Sequence, residues 1–402
     1  METNQIINRR LYTEQILPYI DRGLIKVLTG QRRVGKSYIL KYVAQRIGEE
    51  HPEANVININ LEDFAFAHVT DAPALHHEIT KRLKDNRKNY IFIDEVQEVS
   101  DFDRVIRSLI LDEKNDVFVT GSNSSMLSSE IASRLAGRSV ETRIHPLSYN
   151  EFLEFHHLTS SYDSMMAYLR FGGLPYLRNL PDRSSWSEYI EGVVSAIVFR
   201  DVVLRNSIRN GDFLERLLMF LADNIGRSFS AKRVSDYLKS QKTSLSVTSI
   251  QNYLTFISQA YIINRTRRWD IEGKRYFEIG EKFYFEDLGM RNAIVGFKPA
   301  DIAGVLENAV YNHLIISGYK VKTGSLTSAR EIDFVAEREG ETKYVQVAVT
   351  VTDGATAQRE FGNLEVINDN YEKIVVTLND TIANTNRGIR TYNLLDFLTN
   401  FK

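Results

Sequence analysis

The segment Gly30-Gln31-Arg32-Arg33-Val34-Gly35-Lys36-Ser37 fits the pattern Gly-x-x-x-x-Gly-Lys-Ser/Thr without a mismatch, between an apolar run at 24–28 and a helical pattern at 38–46. A strand, a glycine loop and a helix start in that order make a phosphate cradle. Glycine lets the backbone approach an anion because no Cβ stands in the way. The helix start adds unpaired N–H groups and the positive end of the helix dipole. Gly30, Gln31, Arg32, Arg33, Val34, Gly35, Lys36 and Ser37 are therefore the expected nucleotide-binding residues, with Lys36 on the β- and γ-phosphates and Ser37 on Mg²⁺. Arg32 and Arg33 are also candidates for phosphate or partner contacts, or serve solubility.

A second segment, Tyr90-Ile91-Phe92-Ile93-Asp94-Glu95, is an apolar run ending in two carboxylates. Buried parallel strands read as near-continuous apolar runs, and open α/β sheets bind ligands at the carboxyl ends of their strands. Asp94 is expected at the metal beside Ser37, binding it directly or through an intervening ligand, and Glu95 is the expected base that activates the attacking water. The Asp-Glu pair favours hydrolysis over binding alone. No Asn-Lys-x-Asp guanine-reading motif occurs, so ATP is preferred to GTP.

The 402 residues suggest two or three domains. Apolar content of 43% and charged content of 25% suit a globular chain with an ample core. A net charge of −2 argues against nucleic-acid binding by every surface while leaving room for one basic patch. With no cysteine, disulfides, thiolate zinc sites and cysteine nucleophiles are excluded. No basic-then-apolar leader is visible at the N-terminus. No run approaches the ~18 apolar residues of a membrane span. The expectation is a cytoplasmic protein with no membrane partner.

Strand and helix signals alternate through 1–150, as a parallel α/β sheet requires, with strands expected at 24–29, 56–60, 90–94, 117–121 and 140–145. The fourth strand runs into Thr120-Gly121-Ser122-Asn123-Ser124. Its hydroxyl and amide side chains, Asn123 among them, either hydrogen-bond a γ-phosphate or the lytic water, or cap the next helix. Ser133-Arg134-Leu135-Ala136-Gly137-Arg138 follows, and Arg138, ahead of Arg134, is the candidate for transition-state charge, in cis or from a neighbouring subunit. Residues 151–212 read as a helical lid or connector broken by Gly172-Gly173-Leu174-Pro175. Residues 213–300 read as a winged helix-turn-helix, with helices at 213–225, 230–238 and 246–258 and a wing formed by strands at 261–269 and 275–279. Over 213–275, eleven Lys/Arg face five Asp/Glu, a charge of +6 on a chain whose remainder is −8. That basic module is either a duplex-DNA footprint or a packing or oligomerisation unit. Residues 301–402 read as a small α/β domain.

Together these segments resemble the prokaryotic P-loop ATPases of the AAA/STAND kind that carry a winged helix and a C-terminal restriction-endonuclease-like domain. Gly30–Ser37, Ile91–Glu95, Val119–Ser122, Leu135-Ala136-Gly137-Arg138 with Pro146-Leu147-Ser148, and Gly172-Gly173-Leu174-Pro175 carry the likeness. Lys282-Phe283-Tyr284-Phe285-Glu286-Asp287-Leu288-Gly289 and Glu331-Ile332-Asp333-Phe334-Val335 extend it. The resemblance implies an ASCE-type sheet, in which the strand ending at Thr120 separates the Asp94 strand from the phosphate-loop strand. It also implies an Mg²⁺-dependent ATPase whose nucleotide state is coupled to a DNA or protein partner, in a homo-oligomer if the transition-state arginine comes from a neighbour. An active endonuclease of this kind carries Asp, then Glu-x-Lys on the next strand, to hold Mg²⁺. Here Asp333 is present with Glu307 as a helper, but the second strand reads Gln346-Val347-Ala348, which predicts a degenerate domain without nuclease activity. The alternative is that Lys343 or Glu360 has taken over a missing role; the parity of Lys343 disfavours it. The rival functions are a nucleotide-switched regulatory or defence protein with negligible turnover, and an ATP-driven nuclease.

Overall fold

The computed structural model describes residues 7–124, 134–208, 210–240, 246–273, 275–276, 280–326, 330–351, 354–379 and 385–401. Ser133 and residues 277–279 of the expected second wing strand lie outside the described residues. The chain forms two compact units, Met1–His145 with Gln259–Tyr261, and Pro146–Ser258 with Ile262–Lys402.

The first unit is built on five strands, β1 (Ile25–Thr29), β2 (Asn55–Asn60), β3 (Asn89–Asp94), β4 (Asn115–Gly121) and β5 (Ser139–Arg143). All pair in parallel in the order β2-β3-β4-β1-β5, so β4 lies between the Asp94 strand and the loop strand. The period-two alternation of a strand sorts the apolar side chains onto the two faces. Val27, Ile91, Ile93, Val117 and Val119 point to one face, under Leu75 and Ile79 of the helix Ala72–Thr80 and Val105 and Ile106 of the helix Phe102–Leu109. Leu28, Tyr90, Phe92 and Phe118 point to the other, under Ile39, Leu40, Val43 and Ile47 of the helix Lys36–Glu50. Burial on both faces is why the central strands β1, β3 and β4 are largely apolar, whereas β2 and β5 are partly exposed. The result is the α/β P-loop fold expected.

The second unit begins with helices Tyr149–His156, Tyr162–Phe171 and Arg183–Ile197. Gly172, at φ 70°, ends the second of these, and Gly173 N–H donates to the Asp287 carboxylate at 2.7 Å. A Cβ on Gly172 would lie 2.2 Å from Asp287 Oδ1, so the Gly-Gly-Leu-Pro turn and the distant Glu-Asp-Leu-Gly segment are two halves of one packing site. Burial pushes the Asp287 carboxyl up to about 6 against the N–H groups of Gly173, Met290 and Gly289. The native state therefore holds this proton more tightly than the unfolded chain does. Stability from this group is complete below about pH 4 and is lost as pH rises through about 6, roughly 3 kcal/mol in all. Urea unfolding of the wild type and of Asp287→Asn at pH 4.5 and 7.5 checks this: the variant is expected to lose the slope.

Helices Gly211–Asp223, Ala231–Ser240 and Val247–Gln259 stand where three helices were expected. The single strand expected at 261–269 is instead two, β6 (Ile263–Thr266) and β7 (Arg268–Asp270), which pair with different strands; the Arg267 carbonyl between them accepts from Thr323 N–H at 3.0 Å. β6 pairs antiparallel with β9 (Lys282–Phe285). β7 pairs antiparallel with β8 (Arg275–Tyr276), and Gly273 N–H caps Asp270 in the turn between them. This hairpin is not a free wing: β7 also runs parallel to β10 (Lys320–Ser325) and joins the sheet of the C-terminal strands. With β11 (Glu331–Arg338), β12 (Glu341–Ala348), β13 (Glu372–Thr377), β14 (Thr385–Asn386) and β15 (Ile389–Asn393) it makes eight strands in the order β14-β15-β13-β12-β11-β10-β7-β8. The expected divisions near 212 and 300 therefore fall inside one compact unit. No helix among the described residues is long and apolar enough to cross a membrane.

Candidate nucleotide site

The loop between β1 and the helix Lys36–Glu50 has the backbone an anion cradle needs. Gly30 has φ 141°, and a Cβ there would lie 2.1 Å from the Ile144 carbonyl oxygen. Gly35 precedes the helix in the left-handed region with no side chain capping it, which leaves the first helical N–H groups free of a side-chain cap. Arg9, which no local sequence pattern singles out, braces the loop by donating to the carbonyls of Val34 at 2.8 Å and His145 at 2.9 Å.

Lys36, buried, donates to the Gln31 carbonyl at 3.0 Å and lies 3.7 Å from Glu95 Oε1. The Gln31 side chain is turned inward, its amide donating to the Tyr261 carbonyl at 2.8 Å. Gln31 thus serves the site through its backbone. Val34 is core, Arg32 pairs with Glu62 at 2.5 Å, and Arg33 is exposed at φ 72°.

Asp94 and Glu95 leave the carboxyl end of β3, where sequence reasoning placed them. Thr120 Oγ1 at the end of β4 accepts from Glu95 N–H at 2.9 Å and donates to Asp94 Oδ1. Burial raises the Asp94 carboxyl, while Thr120 and Ser37 oppose this by hydrogen bonding to it. Ser37 and Asp94 are hard oxygen donors brought together, the donor set Mg²⁺ prefers. Glu95 sits in the left-handed region at φ 56°, which turns its side chain back toward the loop. Burial would raise its carboxyl, but Lys36, the Gln97 amide, Arg32 and Ser122 outweigh burial and hold it below the usual carboxylate range. Gln97 was missed in the sequence: its amide donates to Glu95 Oε2 and, at 3.3 Å, to Ser122 Oγ, bridging the ends of β3 and β4. Its place two residues beyond the paired carboxylates was the available signal. Asn123 is buried just beyond β4.

Arg138 is not brought to this cluster. Its carbonyl accepts from Ile25 N–H at 2.8 Å at the start of β1, and the side chain is exposed. At about 3.3 Å per residue, the length of β1 puts roughly 15 Å between it and the loop. Arg134 pairs with Asp103 at 3.4 Å.

In the second unit, Lys343 pairs with Glu372 at 2.5 Å and does not reach Asp333. Glu360 does meet the strand carrying Gln346-Val347-Ala348: Gln346 Nε2 donates to it at 2.6 Å.

Residues 22–153 match the family described as an AAA domain, and residues 162–301 a domain of unknown function (DUF8612). An uncharacterised protein of Haemophilus influenzae is 33% identical over 378 residues, 92% of this chain and 93% of its own length. An uncharacterised protein of Methanocaldococcus jannaschii is 31% identical over 388 residues, 92% of this chain and 82% of its own length. The Walker-type ATPase of Pyrococcus abyssi has the same fold in part, with a TM-score of 0.50 at 15% identity over 71% of this chain and 95% of that one. Aligned over nearly all of its length with the two curated proteins, the chain belongs to their family, and its N-terminal part is an AAA-type P-loop ATPase domain.

Proposed function

We propose that the first unit binds ATP with Mg²⁺ and hydrolyses its terminal phosphate. The observation that carries this reading is the meeting of Lys36, Ser37, Asp94, Glu95 and Thr120 at the carboxyl ends of β1, β3 and β4. Ser37 and Asp94 would hold Mg²⁺, which when bound neutralises phosphate charge. The N–H groups of the Gly30–Ser37 loop bind the phosphate oxygens, and Lys36 leaves Glu95 to stabilise the β- and γ-phosphates. Glu95, released from Lys36 but still held by Gln97, accepts the proton of the attacking water. Thr120 fixes Glu95 by its backbone, while Ser122 and Asn123 stand at the strand end where a γ-phosphate or water would be read.

Loss of Gln97 (Gln97→Ala) is expected to lower kcat by roughly ten- to hundredfold, the cost of a misaimed base, with the KM for ATP little changed. Steady-state kinetics check it. Calorimetric titration of ATP into the wild type and Lys36→Ala tests the reading as a whole: micromolar binding that the variant loses supports it, and equal binding by both sinks it.

The remainder of the chain is proposed to couple nucleotide state to a partner. The +6 charge over 213–275 supports duplex DNA, met by the helices of that segment rather than by a free wing. Binding that does not weaken with salt would rule DNA out. Arg138 would act only from a neighbouring copy in a homo-oligomer, given its place at the start of β5. A nucleotide switch with negligible turnover is the second reading. The Lys36–Glu95 contact favours it, because it occupies the base and the phosphate-binding ammonium together.

A further inference from the structure

The second unit contains an open pocket of about 1480 Å³ whose floor includes Glu307, Glu331, Asp333, Gln346 and Glu360. The side chain that governs it comes from outside the strands that line it. Lys282, on β9, sends its ammonium 2.5 Å from Glu331 Oε1, 3.1 Å from Glu307 Oε1 and 3.7 Å from Asp333 Oδ1. The ammonium is almost fully buried.

Three carboxylates of the cluster, Glu307, Glu331 and Asp333, are arranged around that cation. Tyr284, two residues on along β9 and therefore on the same face, donates to the same Glu307 oxygen at 2.6 Å. Asp333 Oδ2 accepts from Val347 N–H at 2.9 Å, and Asp333 N–H donates to Gln346 Oε1 at 3.2 Å. Glu360 is taken up by Gln346 and Arg359. Three carboxylates this close would repel one another if all were ionised without a cation. Burial pushes Asp333 up to about 8, with Glu307 adding to the push and Lys282 opposing it. Burial would lower Lys282, yet Glu307, Asp333 and Glu331 outweigh burial and hold it charged.

The likeness to endonuclease-like domains implies a divalent cation here, and these residues do not fit one. A divalent ion shared by Glu307, Glu331 and Asp333 would have to sit within about 2.0–2.6 Å of their oxygens, and the ammonium standing among the three blocks that position. Gln346 offers an uncharged amide where a carboxylate would be needed. We propose that the Lys282 ammonium is the resident cation of this pocket, holding Glu307, Glu331 and Asp333 together as a metal ion would. The pocket is then closed to divalent metals while Lys282 is in place and opens to them when it is removed. This inference is independent of the ATPase reading.

The test is Mn²⁺ titration of the nucleotide-free full chain, followed by electron paramagnetic resonance and thermal melting, in the wild type, Lys282→Ala, Lys282→Gln, Asp333→Asn and Lys282→Ala/Asp333→Asn. Both Lys282 variants are expected to bind Mn²⁺ at least about tenfold more tightly than the wild type and to melt higher with it. The double variant is expected to lose that gain, which separates this pocket from Ser37 and Asp94. A Lys282 variant that folds only with Mn²⁺ supports the proposal equally. Wild-type Mn²⁺ binding that Asp333→Asn abolishes would overturn it. So would Lys282 variants with no added affinity, or variants that fold neither with nor without Mn²⁺.

Discussion

Exchanging Glu95 for glutamine is expected to reduce ATP turnover by roughly 10²–10⁴-fold while leaving nucleotide affinity within a few-fold of wild type. The substitution keeps the side chain's length and its capacity to accept from Gln97, and removes only the charge and the basic oxygen. Affinity is expected to hold because the groups proposed to bind phosphate, the loop N–H groups and Lys36, are untouched. Any change is expected toward tighter binding, since Lys36 is no longer drawn toward an anionic Glu95 at 3.7 Å. The comparison is phosphate release at saturating ATP beside equilibrium nucleotide binding. Turnover and affinity falling together would mean that Glu95 shapes the site rather than acting in it.

Asp116→Ala is expected to destabilise the first unit by about 3–5 kcal/mol, the cost of leaving a buried charge without its partner. Lys26 is the second residue of β1, with its ammonium almost fully buried. It is hydrogen-bonded to Asp116 and to the Leu24 carbonyl at 2.9 Å, over the Phe118 ring at 4.1 Å. Burial pulls the lysine down from its ordinary value and Asp116 opposes that pull, so the aspartate is what permits a charged lysine inside the sheet. Asp116 also accepts from Asp21 N–H at 3.1 Å, a bond lost with it. Denaturant unfolding of the first unit measures the loss, and Lys26→Met/Asp116→Leu is expected to recover most of it, because replacing both charges removes the unpaired one. An unchanged midpoint in Asp116→Ala would show that Lys26 is satisfied without it.

The nucleotide site was legible where chemistry depends on short local spacing. Gly30, Gly35, Lys36 and Ser37 sit in one loop and Asp94 and Glu95 at one strand end, so a linear motif carries most of the geometry. The central strands β1, β3 and β4 were legible because burial on both faces makes them largely apolar runs, while the half-exposed β2 and β5 were legible only from their place between helical patterns. What the sequence hid depends on pairing between distant segments. Arg9 reaches Val34 and His145 through contacts no local pattern encodes. Arg138 looked near the site because it follows β4 closely in sequence, yet the crossover carries it to the start of the parallel β5, at the far end of the sheet. The 261–269 strand broke in two because β7 found β10, some fifty residues later in sequence, as a partner. Lys282 stands in a recognisable motif, but its role follows only once β9 lies against Glu307 and Asp333.

The most direct test of the central claim is steady-state phosphate release from ATP by the purified full chain with Mg²⁺, run beside Glu95→Gln, with and without duplex DNA. The account predicts turnover in the wild type that depends on Mg²⁺ and falls away in the variant. Equal release by both proteins under every condition would contradict it.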